Sequence, residues 1–175
     1  MSKTKELTLT SVFTTLLAAS AFIRLPLFFT TITLQFPVVM LCASVLGSRL
    51  SRKCVLIYIL LGLIGLPIFA EGGGPSYILK PTFGYILGFY PCAIIIGTLG
   101  KNTIKSIIAA NLCGLAALYL IGTIYFSFIS KLLWEHSFDL KTIICACVLI
   151  PLPKDLLLCA LVAPLAIRLK SFLKH

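Results

Sequence analysis

Residues 104–129 read IKSIIAANLCGLAALYLIGTIYFSFI, 26 positions with a single charge, Lys105, beside their start. The hydrocarbon core of a bilayer takes about 20 consecutive apolar residues in helical form, so the run predicts a membrane-crossing helix. Moved outward in both directions, the same test finds five more runs: Leu7 to Phe29, Ile32 to Leu46, Cys54 to Ala70, Tyr77 to Leu99 and Ile143 to Ile167. The run from Ile32 to Leu46 is short for a full crossing, so it must borrow Thr30 to Thr33, bend, or be sheltered by neighbouring helices. Composition agrees, with 59% hydrophobic and 11% charged residues among 175 and a mean hydropathy of +1.09. A soluble domain does not tolerate that balance. The reading is an all-α, polytopic membrane protein, a bundle of six transmembrane helices forming one membrane-embedded domain over residues 1–175.

Orientation follows from the basic residues, which gather on the cytoplasmic side of membrane proteins. Six crossings return both termini to one side. Lys3, Lys5, Arg49, Arg52, Lys53, Lys101, Lys105, Arg168, Lys170 and Lys174 then fall on the terminal side. Arg24, Lys80, Lys131 and Lys141 fall at or near the other, and Lys154 lies inside the last run. The bias predicts that both termini are cytoplasmic. A net charge of +10 does not point to nucleic acid, because the cations sit at span ends instead of on one solvated face.

Several function classes drop out on the same ground. The first run is followed by more polytopic sequence, so no cleavable signal peptide is expected. No Walker motif and no long cytoplasmic segment are present to hydrolyse ATP. The seven cysteines lie mostly inside apolar runs without a CxxC pair, which predicts small buried hydrophobes and no metal site. His136 and His175 sit in polar segments, and no Ser/His/Asp or Cys/His set suggests an enzyme.

Four features remain. The first is GLPIFAEGGGPSY, Gly65 to Tyr77, in which three successive glycines, Gly72 to Gly74, let backbone approach closely and move. It is either a lid over a cavity, with Phe69 and Tyr77 as apolar walls, or a plain turn. The second is KPTFGYILGF, Lys80 to Phe89. Proline holds Lys80 extended, so its ammonium either meets an anion at the helix mouth or snorkels to the interface. Gly84 and Gly88 form a GxxxG that permits close helix packing. The third is PLPKD, Pro151 to Asp155, which breaks the last run and sets two ionisable residues inside it. Intramembrane charges face a cavity or a partner, and here they either meet a ligand or neutralise each other. The fourth is a face of small residues in the first run, Ser11, Thr14, Thr15, Ala18 and Ala19, suited to close approach by another helix. Gln35, the one glutamine in the chain, is a further polar candidate for a pocket or a helix contact.

The motifs TLQFPVV, GLIGLPIFAEGGGPSYILKPTFGYILGF and PLPKDLL, in this order over nearly the whole chain, resemble the BioY family, biotin-binding S components of energy-coupling-factor (ECF) transporters. The resemblance implies a six-helix bundle in the bacterial cytoplasmic membrane that binds biotin near its outer face. It implies a transmembrane coupling protein and paired cytosolic ATPases as partners, no cofactor and no enzymatic activity. The docking surface for the coupling protein would be Thr15 and Ala19, or Thr14 and Ala18. Asp155 would accept the ureido N–H groups and Gln35 would complement the ureido. Lys154 or Lys80 would meet a ligand oxygen. Phe69, Tyr77, Phe83 and Tyr85 would pack on the rings and chain beside Gly73 of the loop. The family commonly reads PGDLLK where this chain has Lys154 before the aspartate and Leu158 in place of the later lysine. Other readings of the same residues are an S component for thiamine or riboflavin and a structural membrane protein.

Overall fold

A computed structural model describes residues 2–26, 31–133 and 139–174; His136 and His175 lie outside them. The first helix, α1 (Lys3–Ser20), opens on Ser2, whose hydroxyl accepts the Lys5 N–H at 3.2 Å, an ordinary N-cap. It stops well short of the predicted Phe29. Instead Arg24–Pro26 (β1) pairs antiparallel with Thr31–Thr33 (β2), Arg24 opposite Thr33. Pro26 explains the correction, since proline lacks a helical N–H and drives the preceding residue to extended backbone. The β-branched Thr31 to Thr33 suit a strand.

The predicted second and third crossings are the two arms of one element, α2 (Gln35–Ile64), which turns at Gly47 (φ 75°, ψ 173°). Such a φ is open to glycine and costly for other residues. Residues nearly equidistant from Gly47 meet across the turn: the Gln35 amide donates to the Tyr58 hydroxyl, and Cys42 packs with Cys54 beneath Phe13 of α1. The arms, 35–46 and 48–64, therefore run antiparallel as a helical hairpin with Arg49, Arg52 and Lys53 just past its tip.

A loop and a 3₁₀ turn (Pro75–Leu79) lead to α3 (Phe83–Leu99), so Tyr77 lies before the helix and not in it. Then come α4 (Ile104–Leu133), the short α5 (Leu140–Ile144), a wide π turn (Cys145–Leu149) and α6 (Leu152–Lys174). Helices α3 and α4 pack through reciprocal glycines. A Cβ at Gly84 would lie 2.4 Å from Tyr125 Cβ, and one at Gly122 would lie 2.6 Å from the Tyr85 ring. Where lipid supplies no hydrophobic drive between helices, this close approach is what holds them. Against α2 and α4 lies α6, where Asn111 Nδ2 donates to the Cys159 carbonyl at 3.1 Å and Ala163 and Ala166 seat on Ile107.

The stretches Ile104–Leu133 and Lys141–Leu173 are each long and apolar enough to cross a membrane. Along α4, Leu120, Ile124, Phe128 and Leu132 follow at four-residue spacing, each between 61 and 65% exposed. A continuous apolar stripe of that kind is unfavourable in water. Five cysteines are buried, while Cys113 and Cys145 lie on exposed helix faces, a departure from the expected burial. One end of the bundle gathers the chain ends and turns: Lys5 Nζ donates to the Leu173 carbonyl at 2.7 Å, and Lys170 Nζ to Asn102 Oδ1 at 3.0 Å. Gly97 abuts the Gly47–Ser48 backbone at the same end.

Candidate ligand-binding cavity

At the opposite end a cavity opens between the start of α2, the glycine-rich loop, α3, α4, the π turn and the start of α6. Its polar side originates in the broken last run. Pro151 has no N–H, so the Cys147 carbonyl four residues earlier loses its helical partner and accepts the Tyr85 hydroxyl at 3.0 Å instead. The helix restarts at Leu152 and places Asp155 in its first turn, where the dipole favours a carboxylate. Asp155 is 4% exposed. Its Oδ2 accepts the Tyr119 hydroxyl from α4 at 2.7 Å. Lys154 Nζ stands 2.5 Å from Oδ1, an ion-pair contact without the alignment of a hydrogen bond. A buried charge held this way keeps one partner on each oxygen and has lone pairs left for the cavity.

The roof is the glycine-rich loop. Phe69 and Gly72 exchange backbone hydrogen bonds, and the Gly74 N–H reaches the Gly62 carbonyl at 2.7 Å. A Cβ at Gly73 would lie 2.0 Å from the Leu66 carbonyl oxygen, backbone against backbone, so a side chain there requires the loop to move. Two cations fasten it from outside. Arg24 donates to the Ala70 carbonyl, and Lys80 Nζ meets Glu71 at both its Oε2 (2.8 Å) and its carbonyl (3.2 Å). On the wall, Gln35 accepts Thr33 Oγ1 at 2.9 Å and donates to Tyr58, whose hydroxyl donates on to the Ile68 carbonyl at 3.1 Å. This chain ties the mouth of α2 to the loop. Burial pushes the Tyr77 phenol above its ordinary pKa, so it stays neutral under the roof.

Of the sequence candidates, Gln35, Tyr77, Tyr85, Lys154 and Asp155 line the cavity together. Phe69 and Phe83 do not: both are buried behind the wall, the Phe69 ring 4.7 Å from Tyr77, 5.3 Å from Tyr58 and 6.1 Å from Phe83. Gly73 belongs to the loop's own packing. Lys80 is extended, as the following proline requires, but its ammonium is turned to Glu71 and sits 4.9 Å from the Tyr77 ring centre. Of the small-residue face on α1, Thr14 is buried and donates to the Cys54 carbonyl at 3.4 Å, and Ala18 packs on the core. Thr15 and Ala19 remain on the exposed side.

Sequence reasoning missed Glu71 and Tyr119 among the polar lining, and Phe36, Phe89 and Leu118 among the apolar. Glu71 stood within the quoted loop and was legible as an acid at its apex. Tyr119 sits in an unbroken apolar run, where a tyrosine carries no signal of its partner.

Fold and cavity define a class: a helical bundle of membrane-protein composition with a largely apolar cavity and one buried carboxylate at its side. Within that class the comparisons are specific. The model of the BioY family matches residues 1–175. A probable biotin transporter BioY of Lysinibacillus sphaericus is 40% identical over 70% of this chain and 64% of that protein, so the match spans somewhat under two thirds of the relative. The biotin transporter BioY of Thermotoga maritima is 36% identical over 71% of this chain and 75% of its own length. A crystal structure of the S-component for biotin from an ECF-type ABC transporter shares the fold, with a TM-score of 0.84, 24% identity, and coverage of 98% of this chain and 95% of that one. The chain belongs to the BioY family.

Proposed function

We propose that this protein captures biotin in the cavity and carries it across the bacterial cytoplasmic membrane as the substrate-binding subunit of an ECF-type importer. The observation that carries the reading is the buried Asp155, fixed by Tyr119 and Lys154 at the side of a cavity otherwise lined mostly by aromatic and aliphatic groups. Biotin has the complementary parts. Its ureido N–H groups need an acceptor, its thioether ring needs apolar contact, and its carboxylate needs a cation or water. Asp155 serves the first and Phe36, Tyr85 and Phe89 the second, while the part-exposed Lys154, in contact with Asp155, stands at the ureido end for its oxygen and leaves the carboxylate to water at the cavity mouth. Gln35 keeps a second amide hydrogen for a ligand oxygen after donating to Tyr58.

In this reading the single domain crosses the membrane six times, counting α1, the two arms of α2, α3, α4 and the α5–α6 stretch, with both termini cytoplasmic. The exposed Thr15 and Ala19 offer a close-packing surface to a transmembrane coupling protein. Paired cytosolic ATPases supply the energy. The protein itself is no enzyme: it binds and reorients.

Equilibrium binding of labelled biotin to the detergent-purified chain tests the reading, with Asp155→Ala alongside and excess thiamine and riboflavin as competitors. Saturable one-to-one binding is expected, weakened more than tenfold in the variant and undisturbed by the competitors. No binding by folded wild-type protein, or displacement by either competitor, overturns the assignment of biotin.

A further inference from the structure

We infer that Tyr119 is a positioning residue for capture: its hydroxyl sets which edge of Asp155 faces the ligand. The inference rests on the biotin reading above and assigns a part to a residue that no motif marks. A carboxylate on a short side chain turns easily about its last torsion, which is broad and two-fold, so something must fix it if it is to accept an N–H in a defined direction. Two groups touch it. Lys154 is the adjacent residue, its side chain long and 32% exposed. Tyr119 is 8% exposed, its ring packed in the main core, and it reaches across from α4 with its hydroxyl 2.7 Å from Oδ2. The rigid restraint is the tyrosine.

Because the tyrosine donates, it stabilises the ionised carboxylate and leaves the remaining lone pairs, about two of four, for the cavity. The carboxylate so held presents a fixed acceptor edge to the cavity, suited to a cyclic urea. With the hydroxyl removed, the freed Oδ2 is a buried acceptor without a partner and turns toward Lys154 or its own helix end, taking the edge with it.

If Tyr119 acts through Asp155, its removal must matter only while Asp155 is there. The test is a double-mutant cycle on the full chain in detergent: wild type, Tyr119→Phe, Asp155→Asn and the double variant, each titrated with biotin and with desthiobiotin, which keeps the ureido ring and lacks the thioether ring. Tyr119→Phe is expected to weaken both ligands about tenfold in the wild-type background and to change neither more than twofold in the Asp155→Asn background. Ligand-free Tyr119→Phe is expected to elute as a single species and to melt within a few degrees of wild type. Equal losses in both backgrounds, no loss in the first, or loss of fold in the phenylalanine variant would each overturn the positioning role. Wild-type protein that binds neither ligand overturns the biotin reading itself, a result distinct from an additive cycle in a protein that binds.

Discussion

Lys80 and Lys154 are alike in sequence, each a cation next to a proline, and they differ in what surrounds them. The Lys80 ammonium and the Glu71 carboxylate are 39% and 37% exposed, and exposed pairs of this kind contribute about 0–1 kcal/mol. Lys80 also lies off the cavity wall, whereas Lys154 is on it and touches a carboxylate that is only 6% exposed. Substitution by methionine should therefore separate them. Lys80→Met is expected to hold biotin within threefold of wild type and to lower stability by less than about 1 kcal/mol. Lys154→Met is expected to weaken binding more than tenfold, since it removes the cation that lines the cavity beside Asp155 and leaves the Asp155 charge half-compensated. Titration of both variants with labelled biotin decides the matter, and the reverse ranking would return the ligand contact to Lys80. That Asp155 was legible in sequence and Tyr119 was not has one cause. An acid inside an apolar run is costly enough to demand a function, while a tyrosine there is an ordinary core residue.

The elements were legible where hydropathy alone decides, as in α4, and illegible where one glycine or proline reroutes the chain. The arms of α2 appeared as two crossings separated by charges. Their junction is a single residue, Gly47, with Gly97 of α3 set against it so closely that a Cβ there would lie 2.3 Å from the Ser48 nitrogen. Likewise the pair β1–β2 hid inside apolar sequence, because a strand of three residues has too short a period to register against a helical run. The contact at Gly97 is backbone against backbone, so no rotamer change relieves it. Gly97→Ala must push α3 away from the hairpin tip. Overpacking of this kind costs about 1–3 kcal/mol, expected as a fall of several degrees in the melting temperature of the detergent-solubilised protein. Because the cavity lies at the far end of the bundle, the biotin affinity of the protein that remains folded should stay close to wild type. An unchanged melt would mean that the hairpin tip and α3 do not touch.

At the scale of the whole molecule, helix length sets the depth of the cavity. The arm 35–46 holds 12 residues, about 18 Å of helix, against a hydrocarbon core of about 30 Å. With its tip at one interface, its start at Gln35 stops roughly 10 Å short of the other. The β pair and the glycine-rich loop fill that gap. Non-helical backbone survives at such depth only when its polar groups are paired, as they are through the Arg24 to Thr33 register and the bonds from Arg24 and Lys80 to the loop. The opposite end brings Lys5 to Leu173 and Lys170 to Asn102, so the start of α1, the end of α6 and the α3–α4 turn share one side. Nearly all the basic residues of the chain ends and of these turns lie there, and the orientation proposed above, with this side in the cytoplasm, rests on the positive-inside rule. Fluorescent-protein fusions at either terminus should then fluoresce in cells. Alkaline phosphatase should be inactive at the C-terminus and active when inserted between Leu133 and Asp139. A single terminus found outside would make the number of crossings odd. One of the arms of α2 or the α5–α6 stretch would then fail to traverse the bilayer, and the outward-facing cavity that the proposed uptake of biotin requires would be lost.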